Sequence, residues 1–158
     1  MFRKYSVEFD DGTIPATNAC ELFYLAAGVK GLALLGITLG QKIITSIEGR
    51  GVLVRHLAAT VTASSGGVGA KTPQPLNPND TAAVFTARVL DTSVATTSGA
   101  STIKHSDTWM FLNGYFFDWS DKPIICGPSE AIVVRLPTGP SAAMTSGASG
   151  TAYVAELF

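Results

Sequence analysis

Residues 66–72, Gly-Gly-Val-Gly-Ala-Lys-Thr, hold the ingredients of a phosphate cradle. Glycine amides followed by lysine and threonine bind phosphate when they open a helix, because the free N–H groups of its first turn point at the anion. Here Ala70 separates Gly69 from Lys71, and Pro73 and Pro75 forbid a following helix. No nucleotide or other cofactor is expected. A second run, His105-Ser106-Asp107, brings the residue types of a nucleophilic relay together. Adjacent residues on a strand point to opposite faces, so the run reads as a polar strand edge. Among the carboxylates, Asp118-Trp119-Ser120-Asp121 has the flavour of a calcium or sugar loop. It lacks the alternating aspartates and glycine of a calcium loop and reads as a solvated turn. Cys20 and Cys126 lie far apart with no C-x-x-C spacing, so no metal or redox motif is expected. Two buried free thiols and a single disulfide both fit. His56, inside an apolar run, reads as a core or bulge residue. No catalytic set can be assembled, and the chain is expected to be non-enzymatic.

The remaining candidates are contacts. Residues 71–78, KTPQPLNP, form a stiff extended arm, since each proline fixes its own φ and restrains its predecessor. Such an arm docks at low entropic cost, which makes Pro73, Pro75, Leu76 and Pro78 candidate contacts with a neighbouring subunit. Residues 109–119, WMFLNGYFFDW, hold both tryptophans. Most of these rings belong to a core. Alternation would expose some, and Trp109 and Trp119 are candidates for an interface or a glycan-stacking platform. Arg135, the lone charge in AIVVRL, is a third candidate contact.

The elements that position these residues are strands. Residues 5–9 alternate Tyr5, Val7 and Phe9 with Ser6 and Glu8, the period of a half-buried strand. Asp10-Asp11-Gly12 marks a turn or bulge. Residues 21–27 fit a short helix or a strand, with Phe23-Tyr24 and Gly28 favouring the strand, and 31–39 fit a strand over a rival helix because of Gly36 and Ile37-Thr38. Further strands are expected over 42–47, 52–63, 81–90, 124–126, 131–136 and 151–158. Loops are expected at 64–79, 92–102 and 138–150. Asn113-Gly114 between apolar runs predicts a hairpin through a type I′ turn. On 131–136, Ile132 and Val134 should share one face, with Val133 and Arg135 on the other, one face core and the other near a neighbour. About eight or nine short strands without a long helix define an all-β fold, a jelly-roll-like β-sandwich forming a single domain over 1–158.

At 158 residues such a domain buries roughly 68–70% of its unfolded surface and needs no staple. A net charge of −1 and a pI near 6.1 give no electrostatic footprint for nucleic acid or anionic membrane. Charged residues make up only 15% of the chain, against about 25% for typical soluble domains. A surface so poor in charge suits either an extracellular style or cover within an assembly. Residues 22–47 are apolar but interrupted by Lys30 and Lys42, short of the roughly 20 residues that span a bilayer. The N-terminus has no hydrophobic leader core, so a soluble, leaderless protein is expected.

Three segments, TPQPLNPNDTAAVFTARV, FDWSDKPIICGPSEAIVVRLP and GTAYVAELF, resemble the small all-β structural proteins of tailed bacteriophages, in particular the capsid decoration (cement) class. The resemblance covers most of the chain in order and brings no functional residue set with it. It implies a virion component made in the host cytoplasm and carried on the capsid surface. Its partner would be the major capsid protein, and it would be a homo-oligomer, often a trimer. A glycan-binding module of a head or tail fibre is the alternative expectation.

Overall fold

The computed structural model describes residues 2–157, and every regular element among them is a strand. In β1 (Arg3–Ile14), Tyr5, Val7 and Phe9 are buried while Lys4 and Glu8 face solvent. The apolar runs of β2 (Cys20–Ala26) and β3 (Leu32–Gln41) lie inside their sheets, with neighbours on both sides. β4 (Gly49–Leu57) precedes an excursion holding β5 (Val61–Thr62), β6 (Gly69–Lys71), β7 (Gln74–Pro75), β8 (Thr86–Asp91) and β9 (Thr96–Thr97). The framework resumes with β10 (Ser101–Met110), β11 (Tyr115–Asp118), β12 (Ile124–Cys126), β13 (Ala131–Leu136) and β14 (Met144–Glu156).

One sheet runs β11–β3–β14–β1, with β12 also on β3; the other runs β10–β4–β13–β2. Every pairing is antiparallel. If β11 and β12 count as one interrupted strand, the framework orders are sixth-third-eighth-first and fifth-fourth-seventh-second. This is the order of an eight-stranded jelly roll, the fold class expected from the sequence. Tyr5, Phe9, Phe23, Leu25, Ile37, Val54, Trp109, Phe111 and Val134 fill the space between the sheets.

Residues 58–100 do three things to this framework. β8 and β6 extend the second sheet beyond β2. β7 then crosses to pair with β1, at Tyr5↔Pro75 and Ser6↔Gln74, so the arm joins the two sheets at one open edge. Finally, Ala95 and Val61 pack over the outer face of the second sheet, on Tyr24, Leu57, Ala131 and Val133. Buried carboxylates tie the excursion down. Glu156 accepts the backbone N–H groups of Val84 and Phe85 and the hydroxyl of Tyr5. Asp91 accepts from Ser64 Oγ at 2.6 Å and from Arg88 at 2.6 and 3.1 Å.

Five expectations change. Residues 42–47 form a loop: no strand pairs with them. Residues 109–119 are not a hairpin, because β10 and β11 belong to different sheets and their connection crosses the sandwich. Its turn is closed by Asn113 N–H to Met110 O at 2.9 Å, and neither Asn113 nor Gly114 has the left-handed backbone of a type I′ turn. The small residues of 144–150 continue β14 instead of looping: β1 pairs with it at Met144 and again from Ala148, where β3 joins on the other side. Gly150 makes this possible, since a Cβ there would meet the Phe9 ring at 2.7 Å. The expected long strand over 52–63 ends at Leu57, and the expected strand over 81–90 starts only at Thr86. The closing strand ends at Glu156; Phe158 lies outside the described residues.

Candidate functional site

The structure disperses the chemical candidates. Gly66 and Gly69 have φ of +82° and +92°, and a Cβ on Gly67 would lie 1.8 Å from the carbonyl oxygen of Leu90. These glycines let the chain press against β8, and Gly69 opens strand β6, not a helix. Asp118 accepts the N–H of Ser120 at 2.8 Å, the hydrogen bond of a simple Asx turn. Cys20 and Cys126 are both free and buried, and burial pushes each thiol up to about 12. Among the described residues, no group of three or more His, Cys, Asp or Glu is placed to hold a metal ion. No helix there is long and apolar enough to cross a membrane.

His105 and Asp107 share a face, as residues two apart on a strand must, and Tyr115 of β11 meets both. Its hydroxyl lies 3.1 Å from His105 Nε2 and donates to Asp107 at 3.3 Å. The His105 ring packs on Phe117 and Trp119, with centroids 4.1 and 5.1 Å away. Burial, reinforced by Asp107, pushes the Tyr115 phenol upward, so it keeps its proton. The cluster thus closes the edge between β10 and β11 as a hydrogen-bonded aromatic seam. The signal for it in the sequence was the i, i+2 spacing of His105 and Asp107, with Tyr115 supplied by a distant element.

Glu130 and His56 form a second pair, with Nε2 and Oε2 2.8 Å apart. The same oxygen accepts the Gly127 N–H at 2.6 Å. That backbone bond, then His56, holds the Glu130 carboxyl below its usual range. The folded value lies below the unfolded one, so the stabilisation is complete above the unfolded carboxylate range and is lost as pH falls through the folded value. Glu130→Gln is therefore expected to flatten the acid limb of stability in that window, as measured by thermal melts across pH. An unchanged acid limb would show that the pair contributes nothing.

The interface candidates are also redistributed. Trp109 is fully buried and Trp119 nearly so, which removes both as surface anchors or glycan platforms. Arg135 grips Glu21, also buried, at 2.6 and 3.1 Å, and donates to Ala95 O at 3.0 Å. It therefore fastens the chain's own excursion, and the outer face of β13 that it shares with Val133 is covered from within. Pro73, Pro75, Leu76 and Pro78 lie on or beside the arm that pairs with β1, where Leu76 N–H donates to Lys4 O at 2.9 Å. Leu76 itself keeps half of its surface exposed.

What the structure does present is an apolar tip at one end of the sandwich. Ile43, Ile44 and Ile47 are 55%, 69% and 71% exposed on the β3–β4 loop. Met110 and Leu112, about half exposed, flank them on the β10–β11 turn. Gln41 organises both loops. Its Nε2 donates to Ser46 O at 2.9 Å and Phe111 O at 3.3 Å, while its Oε1 accepts from Thr45 N, Thr45 Oγ1 and Ser46 N. Phe111 N–H closes the junction on Glu48 O, and Lys42 N–H binds Gly147 O. One amide side chain thus replaces the absent strand partner and holds three isoleucines out in water. The charges at the base are already paired, Lys42 with Asp10 and Arg50 with Glu48. The loop segment 43–47 carries no charge. Residues 42–47 were apolar enough to suggest a strand; that the run faces solvent depends on Gln41, which composition does not reveal.

Comparison with family models, with curated proteins and with solved structures returns no match. The chain is placed by its own architecture: an all-β jelly-roll sandwich of a single chain with an uncharged apolar tip.

Proposed function

We propose that this protein is a non-enzymatic structural component of a bacteriophage-type virion, a capsid decoration protein that binds the assembled shell of the major capsid protein through its apolar tip. The observation that carries this reading is the Gln41-held display of Ile43, Ile44 and Ile47. Burying an isoleucine fully is worth about 1.5–3 kcal/mol, and leaving three in water makes sense where a partner covers them. Preorganisation by Gln41 lowers the ordering cost of that contact. The low charge of the chain and its resemblance to decoration proteins agree with the same reading. Because the excursion already covers one outer face, the bare outer face of the first sheet, with Phe116 and Ile125 exposed, is left for a neighbouring copy in a trimer.

A protein that binds only the assembled shell stabilises that shell by mass action. Cosedimentation with shells assembled without this protein is expected to saturate and to raise the temperature at which those shells rupture. Absence of saturable binding would sink the proposal. Light scattering on the free and shell-bound protein tests the trimer.

A further inference from the structure

We propose that Asn113–Gly114 is a self-modifying site, where Asn113 deamidates through a cyclic imide and so ages the apolar tip. The chain has four asparagines, and Asn113 alone is followed by glycine. Both residues are exposed. The side-chain amide of Asn113 has no hydrogen-bond partner among the described residues, and the Gly114 N–H is outside the ladder to β3, which starts at Tyr115. A Cβ at Gly114 would meet nothing nearer than Leu39 O at 3.7 Å. The nucleophile and electrophile are thus adjacent, unengaged and unshielded, the arrangement that makes an intramolecular reaction fast. The other three sites differ. Asn77 precedes Pro78, which has no N–H, and its Oδ1 already accepts the N–H of Asn79. Asn18 and Asn79 precede Ala19 and Asp80, whose Cβ atoms hinder ring closure.

In the reaction the Gly114 nitrogen attacks Asn113 Cγ and loses its proton. A C–N bond forms, and the side-chain nitrogen leaves as ammonia. Water then opens the imide at either carbonyl, giving aspartate or isoaspartate. No oxidant or reductant is involved. The product places a carboxylate beside Leu112 in a tip that has no charge of its own. Isoaspartate also lengthens the backbone by one methylene where the Asn113 carbonyl accepts Trp109 Nε1–H at 3.2 Å. Both changes oppose apolar docking.

The chemical step stands without the docking function; its consequence for the tip rests on that reading. The folded full chain is held at mildly alkaline pH and its four asparagines are followed by peptide mass spectrometry. A gain of about 1 Da, with both product isomers, is expected at Asn113 alone. Gly114→Ala, which fits the open space, is expected to slow it by about tenfold or more. Conversion of Asn113 no faster than of Asn79, or an unaltered rate in Gly114→Ala, would overturn the site. Converted protein is then compared with fresh protein for shell binding. Equal binding would overturn the ageing of the tip and leave the docking assignment standing, whereas failure of fresh protein to bind would overturn docking and leave the modification standing.

Discussion

Arg135→Ala is expected to destabilise the fold by about 3–5 kcal/mol, the cost of leaving a buried carboxylate without its partner. Glu21 is fully buried, and its two oxygens are held by the Arg135 guanidinium and, more weakly, by Ala95 N–H at 3.4 Å. Burial pushes the Glu21 carboxyl up even with Arg135 beside it. Its register partner on β8 is Asp91, which is equally buried, so removing Arg135 leaves two carboxylates facing each other across adjacent strands with only Arg88 nearby. The loss should also loosen the excursion, because Arg135 donates to Ala95 O. Urea denaturation measures the first effect, and hydrogen exchange over residues 92–97 the second. A shift under about 1 kcal/mol would mean that the site hydrates without cost. The charge-neutral pair Glu21→Met with Arg135→Leu should recover most of the loss, since a buried ion pair replaced by apolar groups of similar size is often tolerated.

Trp109→Ala is expected to cost a similar amount, about 3–5 kcal/mol, through a cavity that the framework cannot close. Trp109 is completely buried at the end of β10 and meets Phe111 edge to face, with centroids 4.7 Å apart. Its Nε1–H also holds the turn carrying Met110 and Leu112 through Asn113 O. The substitution therefore unseats half of the tip as well as the core. Trp109→Phe retains most of the volume and loses only the hydrogen bond, so a smaller loss of about 1–2 kcal/mol is expected. Equal stability of Trp109→Ala and the parent protein in chemical denaturation would contradict the packing described.

Periodicity and punctuation carried the fold class. The alternation of residues 5–9, the apolar runs in 21–27 and 31–39, and the strand–turn–strand of 122–136 all appear where they were read. Where the reading failed, the missing information was tertiary. Whether 42–47 pairs depends on a neighbouring strand that does not reach it and on an amide that replaces it. Asn113-Gly114 looks like a hairpin turn, but the sheet to which each flank belongs decides its geometry. The prolines of 73–78 suggest an arm for a neighbouring subunit; the edge it lies against is the chain's own β1. Val133 and Arg135 were correctly placed on the face opposite Ile132 and Val134, and the cover on that face is intramolecular. The tip was the least legible feature, since apolar residues in water violate the rule by which sequence is normally read.

Docking through that tip is tested most directly by a binding isotherm of labelled protein on shells assembled without it, comparing the parent chain with the double variant Ile44→Asp, Ile47→Asp. Both side chains are solvent-facing, so stability should stay within about 0.5 kcal/mol. Two central apolar contacts of about 2 kcal/mol each imply a loss of about 4 kcal/mol, close to a thousandfold in affinity. Saturable binding by the parent chain, lost in an equally stable variant, is the predicted result. Undiminished binding by the variant would contradict the account.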